Sequence, residues 1–395
     1  MELQRILYVS HRYHTNQVPI MKGWKDHGVE VLFLVQYEGV SEVHDYVRFK
    51  CMKPSVYTRC YNWFADSYYD ASKAESKKNV AFIPSFWNVL KTIKAFMPQI
   101  VILRNMSKGN AVICIICKLL RIKYVINYTQ TPLYREKSAK KPFSFLAKCI
   151  YPNVSFTPVW YKGEYRGNNM PKEWYSPHYF IPLVCEPNEK PKREYCKNGI
   201  IHLLDVGKYR DYKNHFFLID AFAEVSNKDC FSLTIIGQVE NNTEIDYYHS
   251  LVNYIKEKGL DKYVTVKGNV PFKEMSKVYL GADVLILPSK SETAGMVILE
   301  AMAQGLCVMS GNNCGLASYL EKSECGMVFT IKDSHQLADQ LNELSENKDI
   351  IRTLGVSSIE AVKKYYGFTQ YFKSLNLLME DYYKESIDLY KEKGI

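Results

Sequence analysis

The chain has 395 residues, 47% hydrophobic and 24% charged, with a formal net charge of +9. Those fractions are ordinary for globular proteins and exclude wholesale disorder, collagen-like repeats and a long coiled coil, while the length suggests two domains with separate cores. The charge is uneven: residues 1–185 carry 26 Lys and Arg against 12 Asp and Glu (+14), and the remainder 25 against 30 (−5), so the first half is expected to meet something anionic: nucleic acid, a phosphorylated substrate or a membrane surface.

The N-terminus lacks the apolar core of a leader peptide and reads as a strand, Arg5–Ser10. Further strand candidates are Val29–Val35, Ile100–Leu103, Tyr124–Tyr128 and Val154–Pro158. They alternate with helix-like segments at Val18–His27, Phe86–Phe96, Ala111–Leu120 and Phe143–Ile150. Residues 40–85, rich in Tyr, Lys and Ser, break the rhythm and read as an irregular insert. The longest apolar stretch, Ala111 to Leu120, contains Lys118 and falls well short of the ~20 residues that span a bilayer. Cys114-Ile115-Ile116-Cys117 matches CxxC, but it lies in an apolar helical run with no second Cys or His pair, so buried thiols are expected. Eleven cysteines without regular spacing fit a reducing compartment, most simply the cytoplasm.

After strand-like His178–Leu183, the polar stretch from Cys185 to Arg193, with Pro187 and Pro191, reads as an interdomain linker. The alternation then restarts with Ile200–Val206, Phe231–Ile236, Tyr263–Lys267, Val284–Leu287, Cys307–Ser310 and Met327–Thr330, and from Asp333 onward the pattern is helical. Strands alternating with helices predict parallel sheets covered on both faces. The expected fold is therefore α/β: two doubly wound, Rossmann-like domains facing across a cleft, with a helical C-terminal tail. In such sheets ligands bind beyond the carboxyl ends of the strands.

Two strand ends carry the chemistry. The apolar strand Val284–Leu287 runs into Pro288 and a polar loop containing Glu292, Thr293 and Ala294, and a helix begins near Gly295 and Met296. The free N–H groups of a helix start form an anion site, and Gly295 admits a close approach to the backbone. Glu292 and Glu300 would bracket that anion as hydroxyl acceptors; alternatively they are a charge at the helix start and a solvated helix carboxylate. The strand Ile200–Val206 runs into Gly207, Lys208, Arg210 and Lys213, three cations in seven residues. They suit a diphosphate, although from the residues alone a solvated basic loop is the favoured reading. Gly237 closes a third strand end.

In their order, Gly207 through Lys213, Ile236-Gly237, Lys267-Gly268-Asn269-Val270, Asp283 through Ser289, Glu292 and Glu300 with seven residues between, Ala301 to Gly305, and Gly326 make the second half resemble the nucleotide-binding domain of retaining glycosyltransferases of family 4, which have the GT-B fold. The resemblance covers residues 200–330; residues 1–185 share only the strand–helix rhythm. It implies an acceptor-side domain at 1–185, a linker at 186–198, a nucleotide-sugar domain at 199–366, and a C-terminal helix at 367–395 that packs back on the first domain. It further implies that Lys208 and Lys213 hold the donor diphosphate with Arg210 sharing the task, and that Glu300 accepts from the ribose. Glu292 and the N–H groups of Thr293 to Met296 would contact sugar and phosphate, with Gly237, Asn269 and Val270 bordering the nucleotide.

The implied activity is retaining transfer from a nucleotide diphosphate sugar to a glycan or lipid-linked glycan, as in bacterial cell-surface polysaccharide synthesis. A nucleotide-sugar epimerase of the same fold and a non-catalytic nucleotide-sugar-binding protein are the alternatives. The donor is a substrate, and no cofactor is expected. No DxD motif is present, so no metal is expected. The first domain departs from the family: Ser10-His11-Arg12-Tyr13-His14 replaces a glycine pair, and Thr129-Gln130-Thr131 stands where a histidine is common. His11, His14 and Gln130 are the candidate contacts there. The basic and aromatic stretch 137–148 is the candidate for an anionic inner membrane surface, and nucleic acid is not expected for want of a reader motif.

Overall fold

The computed structural model describes residues 2–38, 45–68, 81–105, 107–127, 150, 155–157, 178–192, 194–322 and 324–388. These fall into two compact units. The first comprises the described residues up to 157, together with 178–184 and 368–388; the second comprises 185–367.

In the first unit, β1 (Arg5–Ser10) leads through α1 (Val18–Asp26) to β2 (Glu30–Val35) and β3 (Arg48–Cys51). Then follow α2 (Val56–Tyr68), α3 (Phe86–Phe96), β4 (Ile100–Arg104), α4 (Lys108–Leu120), β5 (Lys123–Asn127), β6 (Ser155–Thr157) and β7 (His178–Phe180). The strands form one parallel sheet in the order β3-β2-β1-β4-β5-β6-β7. Residues Ile6 to Ser10 and Val31 to Val35 are all buried, as strands covered on both faces must be. Ser107 caps α4, its hydroxyl accepting from the Asn110 amide at 3.1 Å.

The insert at 40–85 is not irregular throughout: it contains the edge strand β3 and the helix α2. Its strand was hidden because an edge strand with one paired side needs no apolar run, and Arg48-Phe49-Lys50-Cys51 is largely exposed. Its helix was hidden because only Thr58 and Ala65 are buried, while Tyr57, Trp63, Phe64 and Tyr68 are exposed. Cys114 and Cys117 are buried in α4, and burial raises both thiols, Cys117 to about 12. The segment 143–149 lies outside the described residues.

The second unit begins with the stretch expected to be a linker, which lies along the unit rather than apart from it. The amides of Asn188 and Lys192 donate to Ala303 and Gln304, and the Lys192 ammonium lies 3.2 Å from the fully buried carboxylate of Asp283. Next come β8 (Ile201–Val206), α5 (His215–Glu224), β9 (Phe231–Gly237), α6 (Asn242–Glu257), β10 (Val264–Gly268), α7 (Met275–Gly281) and β11 (Val284–Leu287). The unit continues with α8 (Met296–Gln304), β12 (Cys307–Gly311), α9 (Ala317–Lys322), β13 (Met327–Phe329), α10 (Ser334–Glu346) and α11 (Asp349–Tyr365). Its sheet is parallel in the order β10-β9-β8-β11-β12-β13. Chain order reverses between β8 and β11, which makes their carboxyl ends the switch point where doubly wound sheets bind ligands.

The last helix, α12 (Phe368–Tyr383), belongs to the first unit. Phe368, Tyr371 and Phe372 surround Trp24 of α1 edge-on at 5.0 to 6.1 Å. A hydroxyl relay runs from the Trp24 indole N–H to Tyr8 at 2.8 Å and on to Tyr371 at 2.9 Å. Leu375, Leu378 and Met379 complete this side of the core.

Candidate functional site

The switch point of the second sheet gathers most of the residues singled out from the sequence. The loop after β8 is pulled tight. Gly207 donates to Ile236 O at 2.9 Å, Asp211–Lys213 forms a 3-10 turn, and Asn214, at φ +64°, turns the chain into α5. Tyr209 anchors the loop from beneath. It is fully buried, and its hydroxyl donates to Lys267 O at 2.6 Å, tying the loop to the end of β10. Gly237 carries no side chain because there is no room: a Cβ there would stand 2.4 Å from Gly207 O and 2.6 Å from the Tyr209 ring.

Two bonds stitch this loop to the loop after β11. Asn214 Nδ2 donates to Pro288 O at 3.1 Å, and the Lys290 amide donates to Tyr212 O at 2.8 Å. The Lys213 ammonium then meets the Glu292 carboxylate at 2.6 Å, with the two side chains 11% and 22% exposed. Burial pulls the Lys213 pKa down, but Glu292 first, then Tyr212 and Asp205, more than offset it and leave the amine raised. Lys213 is therefore held as a cation at a strand end, aimed by a carboxylate. Glu292 is itself fixed through its backbone, donating to Asn313 O and accepting from Gly315 N.

Gly295, at φ +76°, begins α8 in a conformation costly to side-chain residues, and a Cβ there would lie 2.6 Å from Cys314 Sγ. Thr293, Ala294 and Met296 flank it, half-buried. One turn inside the helix, Glu300 accepts from the Tyr279 hydroxyl of α7 at 2.7 Å. Burial raises the Glu300 pKa, and the tyrosine's hydrogen bond partly opposes this.

The remaining cations are also engaged by acids. Arg210 donates to Glu244 at 2.7 Å; this glutamate is fully buried at the start of α6, where its pKa is lowered, the Glu240 amide and Arg210 outweighing the cost of burial. Lys208 lies 3.5 Å from Glu240. Asn269, at φ +54°, spends its side chain on both backbone groups of Val239, joining the ends of β9 and β10 beside half-buried Val270.

Tyr209 and Asn214 were not singled out from the sequence, and neither was the pairing of Glu244, an acidic residue after the Gly237 strand end, with Arg210. The one available signal was for Asn214, a residue tolerant of positive φ between a short turn and a helix. In the first unit, His11 Nδ1 pairs with Gln36 Oε1 at 2.8 Å, and half-buried His14 follows it. Gln130 and residues 137–148 lie outside the described residues.

The family model described as Glycosyl transferases group 1 matches residues 189–359, the stretch that holds all these second-unit loops. Among curated proteins, a D-inositol 3-phosphate glycosyltransferase of Corynebacterium aurimucosum is 26% identical over 164 residues, 40% of this chain and 38% of that protein. An uncharacterized 41.2 kDa protein in the cps region of Klebsiella pneumoniae is 23% identical over 195 residues, 48% of this chain and 49% of its own. The chain thus aligns with half or less of each relative. Among solved structures, sucrose-phosphate synthase from Thermosynechococcus elongatus has a TM-score of 0.69 at 15% identity, covering 97% of this chain and 100% of that one. Anabaena HepE in complex with UDP-glucose has a TM-score of 0.67 at 14% identity, covering 95% and 99%. The fold is GT-B: two Rossmann-like domains with parallel sheets and a helical C-terminal region.

Proposed function

We propose that this chain is a retaining, metal-independent glycosyltransferase that moves a sugar from a nucleotide diphosphate sugar to a glycan or lipid-linked glycan in cell-surface polysaccharide synthesis. The observation that carries this reading is the Lys213–Glu292 pair across the two switch-point loops, inside the stretch that matches the group 1 model. A donor diphosphate at this strand end meets a buried ammonium and the N-terminus of α8. When the acceptor hydroxyl attacks the anomeric carbon, the bond to the β-phosphate oxygen breaks and negative charge grows on that phosphate. Lys213 and the α8 N–H groups stabilise the growing charge, which is electrostatic catalysis by preorganised donors. The hydroxyl proton passes to the departing phosphate oxygen, so no side-chain base is required. Glu292, holding Lys213 in place, offers its carboxylate to a sugar hydroxyl, and Glu300 on α8 accepts from the ribose.

UDP-glucose, the ligand in the HepE complex, is the first donor to try. Release of nucleotide diphosphate that depends on an added glycan supports transfer; release of free nucleotide and an isomerised sugar without acceptor would replace it with epimerisation. Lys213→Ala and Glu300→Ala each remove a charge-assisted contact of about 1.5–3 kcal/mol, so each is expected to lower kcat/KM by about ten- to a hundredfold. Turnover near the wild-type level in either would overturn the assigned role. No helix among the described residues is long and apolar enough to cross a membrane. Cytoplasmic residence with peripheral attachment through the basic first half is the corresponding proposal. Flotation of the protein with anionic liposomes at low salt tests it, and absence of binding overturns it.

A further inference from the structure

Tyr279, near the end of the short helix α7, is 2% exposed, and its hydroxyl donates to Glu300 Oε2 at 2.7 Å. Its carbonyl accepts from the Ala282 amide at 2.9 Å, which fixes the residue at the turn into β11. A phenylalanine would pack the same ring. The hydroxyl is there for the carboxylate.

That carboxylate is undersupplied with donors. Two buried carboxylates of the same unit show what full supply looks like. Asp283 lies 3.2 Å from the Lys192 ammonium and accepts from the Cys196 and His202 amides at 3.0 and 2.8 Å. Glu244 accepts from Arg210 at 2.7 Å and from the Glu240 amide at 2.8 Å. Glu300 has Tyr279 alone: among the described residues no ammonium or guanidinium pairs with it, and no second group donates to it. A carboxylate withdrawn from water on one hydrogen bond is costly, and burial raises its pKa. Yet Glu300 is only half-buried, so it is held from within and reachable from the surface of α8. Oε2 is committed to the tyrosine, and Oε1 is left to a hydroxyl arriving from outside. A neutral donor suits this better than a lysine would. It orients the carboxylate without neutralising it and leaves the charge to strengthen bonds from ligand hydroxyls.

We propose that Tyr279 is a positioning residue for the donor's ribose: by holding Oε2 of Glu300 it turns Oε1 toward the two neighbouring ribose hydroxyls, and so makes this chain select ribonucleoside over 2′-deoxyribonucleoside diphosphate sugars. This role presupposes that Glu300 accepts from the ribose, as proposed above. One oriented oxygen has lone pairs for both the 2′ and the 3′ hydroxyl. A carboxylate free to swing would meet a single hydroxyl almost as well as a pair, and would discriminate less.

Calorimetric titration of the full chain with UDP and GDP, each beside its 2′-deoxy counterpart, tests this without turnover. For the ribonucleotide that binds the tighter, wild type is expected to prefer it over the deoxy form at least tenfold. Tyr279→Phe keeps the ring and is expected to cut that preference to about threefold or less, mostly by weakening the ribonucleotide. Glu300→Ala is expected to abolish it. The variant also loses the hydrogen bond that lowers the Glu300 pKa. The ionisable neighbours of this carboxylate are Tyr279 on α7 and Cys185 at the start of the unit, both kept neutral because burial raises them, Cys185 to about 12. On acidification Tyr279→Phe is therefore expected to lose ribonucleotide affinity at a higher pH than wild type does. A preference unchanged in Tyr279→Phe but lost in Glu300→Ala overturns the role of Tyr279 and leaves that of Glu300. Equal weakening of both nucleotides in Tyr279→Phe, with a pH profile like the wild type's, makes the hydroxyl structural and also overturns it. A preference that survives Glu300→Ala, or no binding of either ribonucleotide, overturns the ribose assignment itself and this role with it.

Discussion

Asp205 and His215 meet in the interior close to Lys213. Asp205 Oδ2 lies 3.4 Å from His215 Nε2, neither atom has a hydrogen-bond partner, and both residues are fully buried. On its other side the imidazole Nδ1 is 3.1 Å from the Tyr247 hydroxyl. Burial pushes Asp205 up to about 7 against the pull of Lys213, and burial with Lys213 pushes His215 down to about 3. The consequences for stability have opposite signs. Folded Asp205 keeps a proton that the unfolded chain loses near pH ~4, so its contribution is lost as pH rises from there to about 7. Folded His215 refuses a proton that the unfolded chain accepts below pH ~6.5, so its contribution is lost as pH falls from there to about 3. Between pH ~4 and ~6.5 the two slopes oppose one another. Asp205→Asn removes the first slope, so its unfolding free energy is expected to climb with pH across that window more steeply than the wild type's. Urea denaturation at a series of pH values reads this directly. Parallel curves would show that Asp205 titrates as an ordinary carboxylate.

Among the elements, the loop after β8 shows what was readable and what was not. Its glycine and three cations stand together in the chain, so a basic strand end was visible from order alone. Its partners were not. Glu244 is in the first turn of a helix thirty-odd residues on, and Glu292 follows β11, which becomes a neighbour of β8 only through the crossover. Tyr209 gave no sign of being the anchor, being one of 31 tyrosines with nothing local to distinguish it. Strand positions followed apolar runs closely: β1 and β11 match their expected bounds, most others moved by a residue or two at frayed ends, and β7 stops at Phe180, three residues short of Leu183. Where the side chains face solvent, as on α2, that signal failed. The anchor makes a prediction at this scale. Gly237→Ala forces a methyl against Gly207 O and the Tyr209 ring, costing about 1–3 kcal/mol as overpacking does and displacing the Lys213 loop. Donor KM is expected to rise about tenfold while the urea midpoint falls. A change in the midpoint alone would show that the loop keeps its place without that contact.

Over the whole molecule, the charge asymmetry resolves into two different arrangements. The second unit pairs its site cations with glutamates, while in the first no described carboxylate forms an ion pair with Arg12 or Arg104. The other large-scale feature is the return of α12 to the first unit. Removing residues from 368 onward strips Phe368, Tyr371, Leu375 and Met379 from the face of Trp24 and Tyr8, and leaves the second unit's residues in place. Such a truncation is expected to lower the melting transition of the first unit by many degrees, with UDP still stabilising the second. Scanning calorimetry with and without UDP separates the two transitions, and an unaltered first transition would show that α12 is dispensable.

That return has a consequence for the order of synthesis. Domains ordinarily fold as they leave the ribosome, N-terminal first. Here the first unit cannot close its core until residues 368–383 have emerged, whereas everything the second needs has been made by residue 367. The domain translated last is therefore the one able to finish first, and during the interval between them the exposed indole of Trp24 and the apolar face around it are what a nascent-chain chaperone would find.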